Sequence, residues 1–204
     1  MMPSITTSAA SNSRVRRTAL AVAKPVAFAV LLWLASAAGA VPIPGTPVPI
    51  TLQTFVVMVA ALTMDWRQAG AAVALYLAAG AAGLPVFAGS SSTAALLGPS
   101  AGFLIGFLPG VIATALLKGT VRRTVDAHPA AAARVFALTS LRYFAAAMIG
   151  CVAVVYVFGF AVQAVLTGAP LPAIILASMP FIIGDVVKSA VASLVVAGAA
   201  SLRR

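Results

Sequence analysis

Apolar residues in this chain gather into long blocks divided by short polar or proline-rich breaks. Six blocks stand out, at about 18–38, 50–64, 69–84, 101–117, 136–160 and 173–202. Each reads as a membrane-spanning helix, which takes about 20 residues when it crosses straight. The second and third blocks are short and lean on small residues. They predict helices that cross a thin region or lie buried among their neighbours. The expected architecture is an all-α integral membrane protein of six transmembrane helices. A Ser/Thr/Ala-rich tail at 1–13, disordered and cytoplasmic, would precede a single domain at 14–204.

The charged residues sort by side. Arg14, Arg16, Arg17 and Lys24 precede or begin the first block, and Arg67 lies between the second and third. Lys118, Arg122, Arg123 and Arg134 fall between the fourth and fifth, and Arg203 and Arg204 follow the sixth. The connections 39–49, 85–100 and 161–172 hold no Lys or Arg. This is the positive-inside pattern, with both termini cytoplasmic. Composition agrees: 62% of residues are hydrophobic and 8% charged, against about 25% charged in soluble domains. The net charge of +10 is then topology plus attraction to anionic inner-leaflet lipid rather than a nucleic-acid surface. The single cysteine excludes an intrachain disulfide. A basic start, an apolar core and Ala35-Ser36-Ala37 also fit a cleaved signal peptide. The length of the core and the even span count favour a retained helix.

The uncharged connections carry further signal. Val41 to Pro49 has four prolines alternating with other residues, which forbids a helix and favours an extended, stiff backbone. It is apolar, so it is expected to pack as a lid. Leu84 to Ser100 ends in Gly98-Pro99-Ser100, a start signal for the fourth helix. Long uncharged loops on one face suggest a covered cavity that opens outward. Two stripes of small residues mark close helix packing: Gly102, Gly106 and Gly110, and Ala19, Ala23 and Ala27.

Enzyme chemistry is mostly excluded by counting. His128 is the one histidine, and no Cys or carboxylate cluster surrounds it in sequence to make a metal site. Cys151 has no base placed to activate it and reads as packing. No Gly-rich phosphate loop with its Lys-Ser/Thr pair is present. Asp65 and Asp126 sit in basic cytoplasmic connections as solvated charges. We therefore expect no enzyme, no metal and no cofactor.

Asp185 and Lys188 remain. They lie inside an apolar block, where each charge costs roughly 2.5–3.5 kcal/mol near mid-bilayer and is seldom kept without a partner or a task. At i and i+3 they share a helix face and could neutralise each other. Pro180, as a helix start after a short lip helix, would place Asp185 about 7–8 Å below that start. That is close to the outer side, beneath the two apolar loops. The pair offers an acceptor for ligand N–H groups and a cation for a ligand carboxylate. Gln53, Thr51 and Thr54 add hydrogen-bonding groups, and Tyr76 and Phe87 offer apolar walls, the usual make-up of a small-ligand pocket.

Val48-Pro49-Ile50-Thr51-Leu52-Gln53-Thr54, Tyr76 to Phe87, Gly98 to Phe103 and Pro180 to Lys188 together resemble the BioY family. Its members are the biotin-binding capture subunits of energy-coupling factor (ECF) transporters. The resemblance implies a six-helix subunit in the cell membrane that takes biotin from outside. It implies association with a transmembrane coupling protein and paired cytoplasmic ATPases, with the Ala19, Ala23, Ala27 stripe against the coupling protein. Biotin, the transported ligand rather than a cofactor, would place its ureido N–H groups on Asp185 and its carboxylate on Lys188. Ser100, Ala101 and Phe103 stand where the family usually has Thr, Gly and Tyr. A ligand hydrogen bond from position 103 is lost, and one from Ser100 is kept. Capture of another vitamin, or a scaffold without transport, stays open at the level of sequence.

Overall fold

A computed structural model describes residues 6–119 and 129–202. His128, Asp126, Arg122, Arg123, Arg203 and Arg204 lie outside the described residues, as do the side chains of Arg14, Arg16, Arg17 and Ala19.

The chain folds as helices: α1 (Thr6–Ala37), α2 (Gln53–Thr63), α3 (Trp66–Ala81), a short α4 (Thr93–Leu97) and α5 (Ala101–Leu117). Then come α6 (Pro129–Ala147), a π-helical segment (Met148–Val154) that runs straight into α7 (Val155–Thr167), α8 (Leu171–Ala177) and α9 (Met179–Leu202). α1 starts at Thr6, inside the segment expected as a disordered tail. Among the described residues, two helical stretches are long and apolar enough to cross a membrane, Ala131–Thr167 and Met179–Leu202. Ala21–Ala37, Gln53–Thr63 and Ala101–Leu117 are shorter apolar helices.

Local chemistry sets the breaks. Met64 turns extended after α2, and Asp65 then caps α3 by accepting from the backbone N–H groups of Arg67 (2.9 Å) and Gln68 (3.0 Å), donors that a helix start leaves unpaired. Gly168, at φ 66°, ends α7, a left-handed cap that costs glycine little. α8 is the expected lip helix. Pro180 is the second residue of α9, where its missing N–H deprives the helix of nothing.

α5 sits centrally, against α2, α3 and α7. Its glycine stripe faces the α6–α7 run. A Cβ on Gly102 would lie 2.3 Å from the Phe158 carbonyl oxygen, and one on Gly110 would lie 2.8 Å from that of Gly150. The stripe is therefore an internal packing face. Cys151, buried, has its Sγ 3.2 Å from Thr114 Oγ1 and serves as packing. At the end of α5 remote from the loops, Lys118 Nζ donates to the carbonyls of Ala61 (2.7 Å) and Met64, closing the C-terminus of α2.

Apolar side chains cover the outside as well as fill the core, and a few polar side chains are buried among them. Buried polar side chains include Ser36, Gln53, Thr114, Asp185, Ser189 and Ser193, while Val22, Trp33, Leu75, Val157, Val165 and Leu194 are exposed. Ser189 and Ser193 hold their hydroxyls on carbonyls one turn back, of Asp185 and Ser189 respectively (both 2.7 Å). An apolar exterior, with most buried polar side chains hydrogen-bonded and only Ser140 Oγ and Gln163 Oε1 unpartnered among the described residues, is what a lipid solvent selects.

Candidate ligand-binding site

The proline-rich segment folds back on itself. Val41 and Ile50 exchange both backbone hydrogen bonds, at 2.9 and 2.8 Å. Pro47, Val48, Pro49 and Ile50 then roof a cavity of about 470 Å³. The second loop supplies a wall: Phe87 N–H donates to the Ser91 carbonyl at 2.9 Å around a tight turn. α5, α7 and α9 complete the enclosure through Phe103, Tyr156, Phe181 and the pair Asp185 and Lys188.

Asp185 is almost wholly buried and lies at the convergence of three donors. Its Oδ1 accepts from Thr54 Oγ1 at 2.7 Å and from Lys188 Nζ at 3.0 Å, and its Oδ2 accepts from Tyr156 Oη at 2.9 Å. A carboxylate offers about four acceptor positions, so one remains for a ligand. Lys188 Nζ has three protons, and three protein acceptors lie within reach: Asp185 Oδ1, the Thr51 carbonyl at 2.8 Å and Thr54 Oγ1 at 2.9 Å. The Lys188 side chain retains 16% exposure against 5% for Asp185. The pair is thus neither isolated nor merely self-paired, because it ties the lid end of α2 to α9.

Gln53 forms a second network. Its Oε1 accepts from Thr51 Oγ1 at 3.0 Å, its Nε2 donates to Tyr76 Oη, and Tyr76 Oη donates to the Val86 carbonyl at 3.0 Å. Ser36 Oγ reaches the same carbonyl from α1 at 2.5 Å. The lid, α1, α3 and the second loop are joined through these groups.

Of the residues singled out in sequence, Asp185, Lys188, Gln53, Thr51, Phe87 and Ser100 line the cavity, and Thr54 joins them. Tyr76 does not line it. It stands behind Phe87, its ring edge-on at 5.2 Å between centroids, because its hydroxyl is drawn to Val86 and Gln53. Ser100 sits at the head of α5 with no side-chain capping bond. Ala23 and Ala27 are exposed on α1. Phe103 packs edge-on with Tyr156 (5.7 Å) and Phe160 (6.0 Å), so a phenyl ring at this position still builds the apolar wall. The residue that sequence reading missed is Tyr156. Its signal was available, since the chain has three tyrosines and a hydroxyl inside an apolar block calls for a partner.

Among the described residues no group of three or more His, Cys, Asp or Glu could hold a metal. The site offers instead a neutral apolar chamber with one open carboxylate acceptor, suited to a ligand with N–H donors and an apolar body.

Comparison with known proteins follows the same line. A sequence profile of the BioY family matches residues 7–204. The biotin transporter BioY of Rhizobium etli is 36% identical over 149 residues, covering 72% of this chain and 75% of that protein. The probable biotin transporter BioY of Pyrococcus horikoshii is 35% identical over 150 residues, covering 73% and 78%. Among solved structures, the S-component for biotin from an ECF-type ABC transporter superposes with a TM-score of 0.77. It does so at 21% identity, over 90% of this chain and 92% of that one, which shows a shared fold.

Proposed function

Since this chain belongs to the BioY family, we propose that it is the biotin-capturing membrane subunit of an ECF-type transporter. It takes biotin from the outer side, and partner subunits drive import by hydrolysing ATP. The observation that carries the reading is Asp185. Three donors from three elements, Thr54, Tyr156 and Lys188, fix a carboxylate that lines the cavity with one of its about four acceptor positions unspent. The ureido N–H groups of biotin match that acceptor, and its fused rings match the walls of Phe87, Phe103 and Phe181. Gln53, Thr51 and Ser100 complete the polar lining, and Tyr76 supports it from behind. Sequence suggested that Lys188 holds the ligand carboxylate. With three protein acceptors within reach of its ammonium group, Lys188 is better read as the clamp that positions Asp185 and the lid.

Six crossings with both termini cytoplasmic fit the reading, with α2 and α3 as short inner helices and α6, the π segment and α7 as one crossing. Ala19, Ala23 and Ala27 would face a coupling protein, with inner-leaflet lipid around the basic connections. The relatives are named as transporters, and the chemistry proposed here is binding, not catalysis. One observation favours a second reading, a scaffold without transport: the Asp185–Lys188 pair is well satisfied without a ligand. Titration of the purified protein with biotin, riboflavin and thiamine separates these. Saturable biotin binding with protection against heat supports capture. Binding of another vitamin alone, or of none, refutes it.

A further inference from the structure

Among the described residues that line the cavity, Lys188 is the sole cation. Its ammonium group already donates to the Thr51 carbonyl, Thr54 Oγ1 and Asp185 Oδ1. A ligand carboxylate would have to compete for these protons with three protein acceptors, one of them itself a carboxylate, an exchange with little net gain. Formal charge inside the chamber is already balanced, Asp185 against Lys188. A further buried carboxylate would be uncompensated and costly. Nor does help come from the rim, because the connections 39–49, 85–100 and 161–172 contain no Lys or Arg. The hydroxyl of Ser91 is committed to the Ala88 carbonyl at 2.8 Å, and Ser100 offers a neutral hydrogen bond only.

We infer that the site recognises the ring end of its ligand and leaves the acid end unread, so that it accepts carboxyl-blocked biotin, such as an ester, as well as the free acid. This rests on the biotin reading above. The acid end then lies toward the rim, where water solvates it, and any neutral donor there serves an ester carbonyl equally. The cavity, at about 470 Å³, lies within the range of about 300–1,000 Å³ for drug-sized ligands and has room for a blocked acid.

The test is competition against labelled biotin on the purified full chain, using biotin and its methyl ester, in the unaltered protein and in Lys188→Met. The expected result is an ester affinity less than about tenfold below that of biotin, the lower bound for losing a charge-assisted contact. Lys188→Met should weaken both ligands by the same factor. A tenfold or greater loss for the ester in the unaltered protein overturns the inference. So does a Lys188→Met protein in which biotin weakens and the ester does not. If Lys188→Met fails to fold, the ester comparison in the unaltered protein decides alone. Absence of biotin binding would instead sink the biotin reading itself, a separately visible outcome.

Discussion

Asp185 and its three donors make the sharpest claims at the scale of single residues. Asp185→Asn removes the acceptor for a ureido N–H and leaves Lys188 without its charge partner. That pair lies within the protein, so its loss falls on stability, while a ligand hydrogen bond to a charged carboxylate is worth about 1.5–3 kcal/mol. Biotin affinity should therefore fall by about tenfold or more at roughly 1.4 kcal/mol per tenfold, read by calorimetric titration. Near-unchanged affinity would remove Asp185 from the site. Tyr156→Phe deletes one hydroxyl, 2.9 Å from Asp185 Oδ2, and keeps the ring against Phe103 and Phe160. A hydrogen bond to a charged group is worth about 1.5–3 kcal/mol, and this one is made without ligand, so melting temperature should fall and biotin affinity should drop as Asp185 loses a group that positions it. Equal affinity in the two proteins would show that Asp185 needs no third donor.

Helices and loops carry a different kind of constraint. α5 and α7 approach so closely that Gly102 faces a backbone carbonyl, which cannot swing aside as a side chain can. Gly102→Ala should lower stability by about 1–3 kcal/mol, the usual cost of overpacking, seen as a lower melting temperature. A neutral result would mean that the helices separate easily. Gly80 is the corresponding case on α3. A Cβ there would lie 2.1 Å from the Phe87 ring, so Gly80→Ala should push the cavity wall and reduce both biotin affinity and stability. The lid is held by the Val41–Ile50 pair. Ile50→Pro removes the N–H that donates to Val41 at 2.8 Å and should speed biotin release in a dissociation assay. An unchanged release rate would argue that the lid does not retain the ligand.

Across the whole molecule, exposed valines, leucines and tryptophans surround a core that is itself mostly apolar, with a few polar side chains buried in it. Exposed apolar surface on this scale marks an interaction with lipid or protein. Side of exposure is testable because Cys151 is buried and leaves a clean background for thiol labelling. In intact cells a membrane-impermeant maleimide should label Pro44→Cys on the lid, and label Arg67→Cys only after permeabilisation. The reverse pattern would invert the proposed topology.

Hydrophobic blocks and charge placement sufficed to mark the helices, because a chain with 8% charged residues has few ways to bury its backbone polar groups except in helices. Four prolines in nine residues settled that the first loop is not helical. Asp185 and Lys188 were legible as a site because charges are rare in apolar blocks. Gln53, Thr51 and Phe87, singled out from their neighbourhood in sequence, and Ser100, singled out by the family resemblance, line the cavity. What no local pattern could supply was pairing across the chain. Thr54 meets Asp185 over 131 positions and Lys188 meets the Thr51 carbonyl over 137, and only packing of α2 on α9 decides this. Packing of α3 sent Tyr76 behind Phe87, packing of α7 brought Tyr156 onto Asp185, and the lid end of α2 brought two further acceptors to Lys188. Sequence thus determined that the chain is helical and where charge is scarce, but not the short α4, the π segment or the start of α1 at Thr6. The tertiary structure decided which polar atoms are already spent, because hydrogen-bond partners in a lipid-embedded bundle come from neighbouring helices and not from neighbours in the chain.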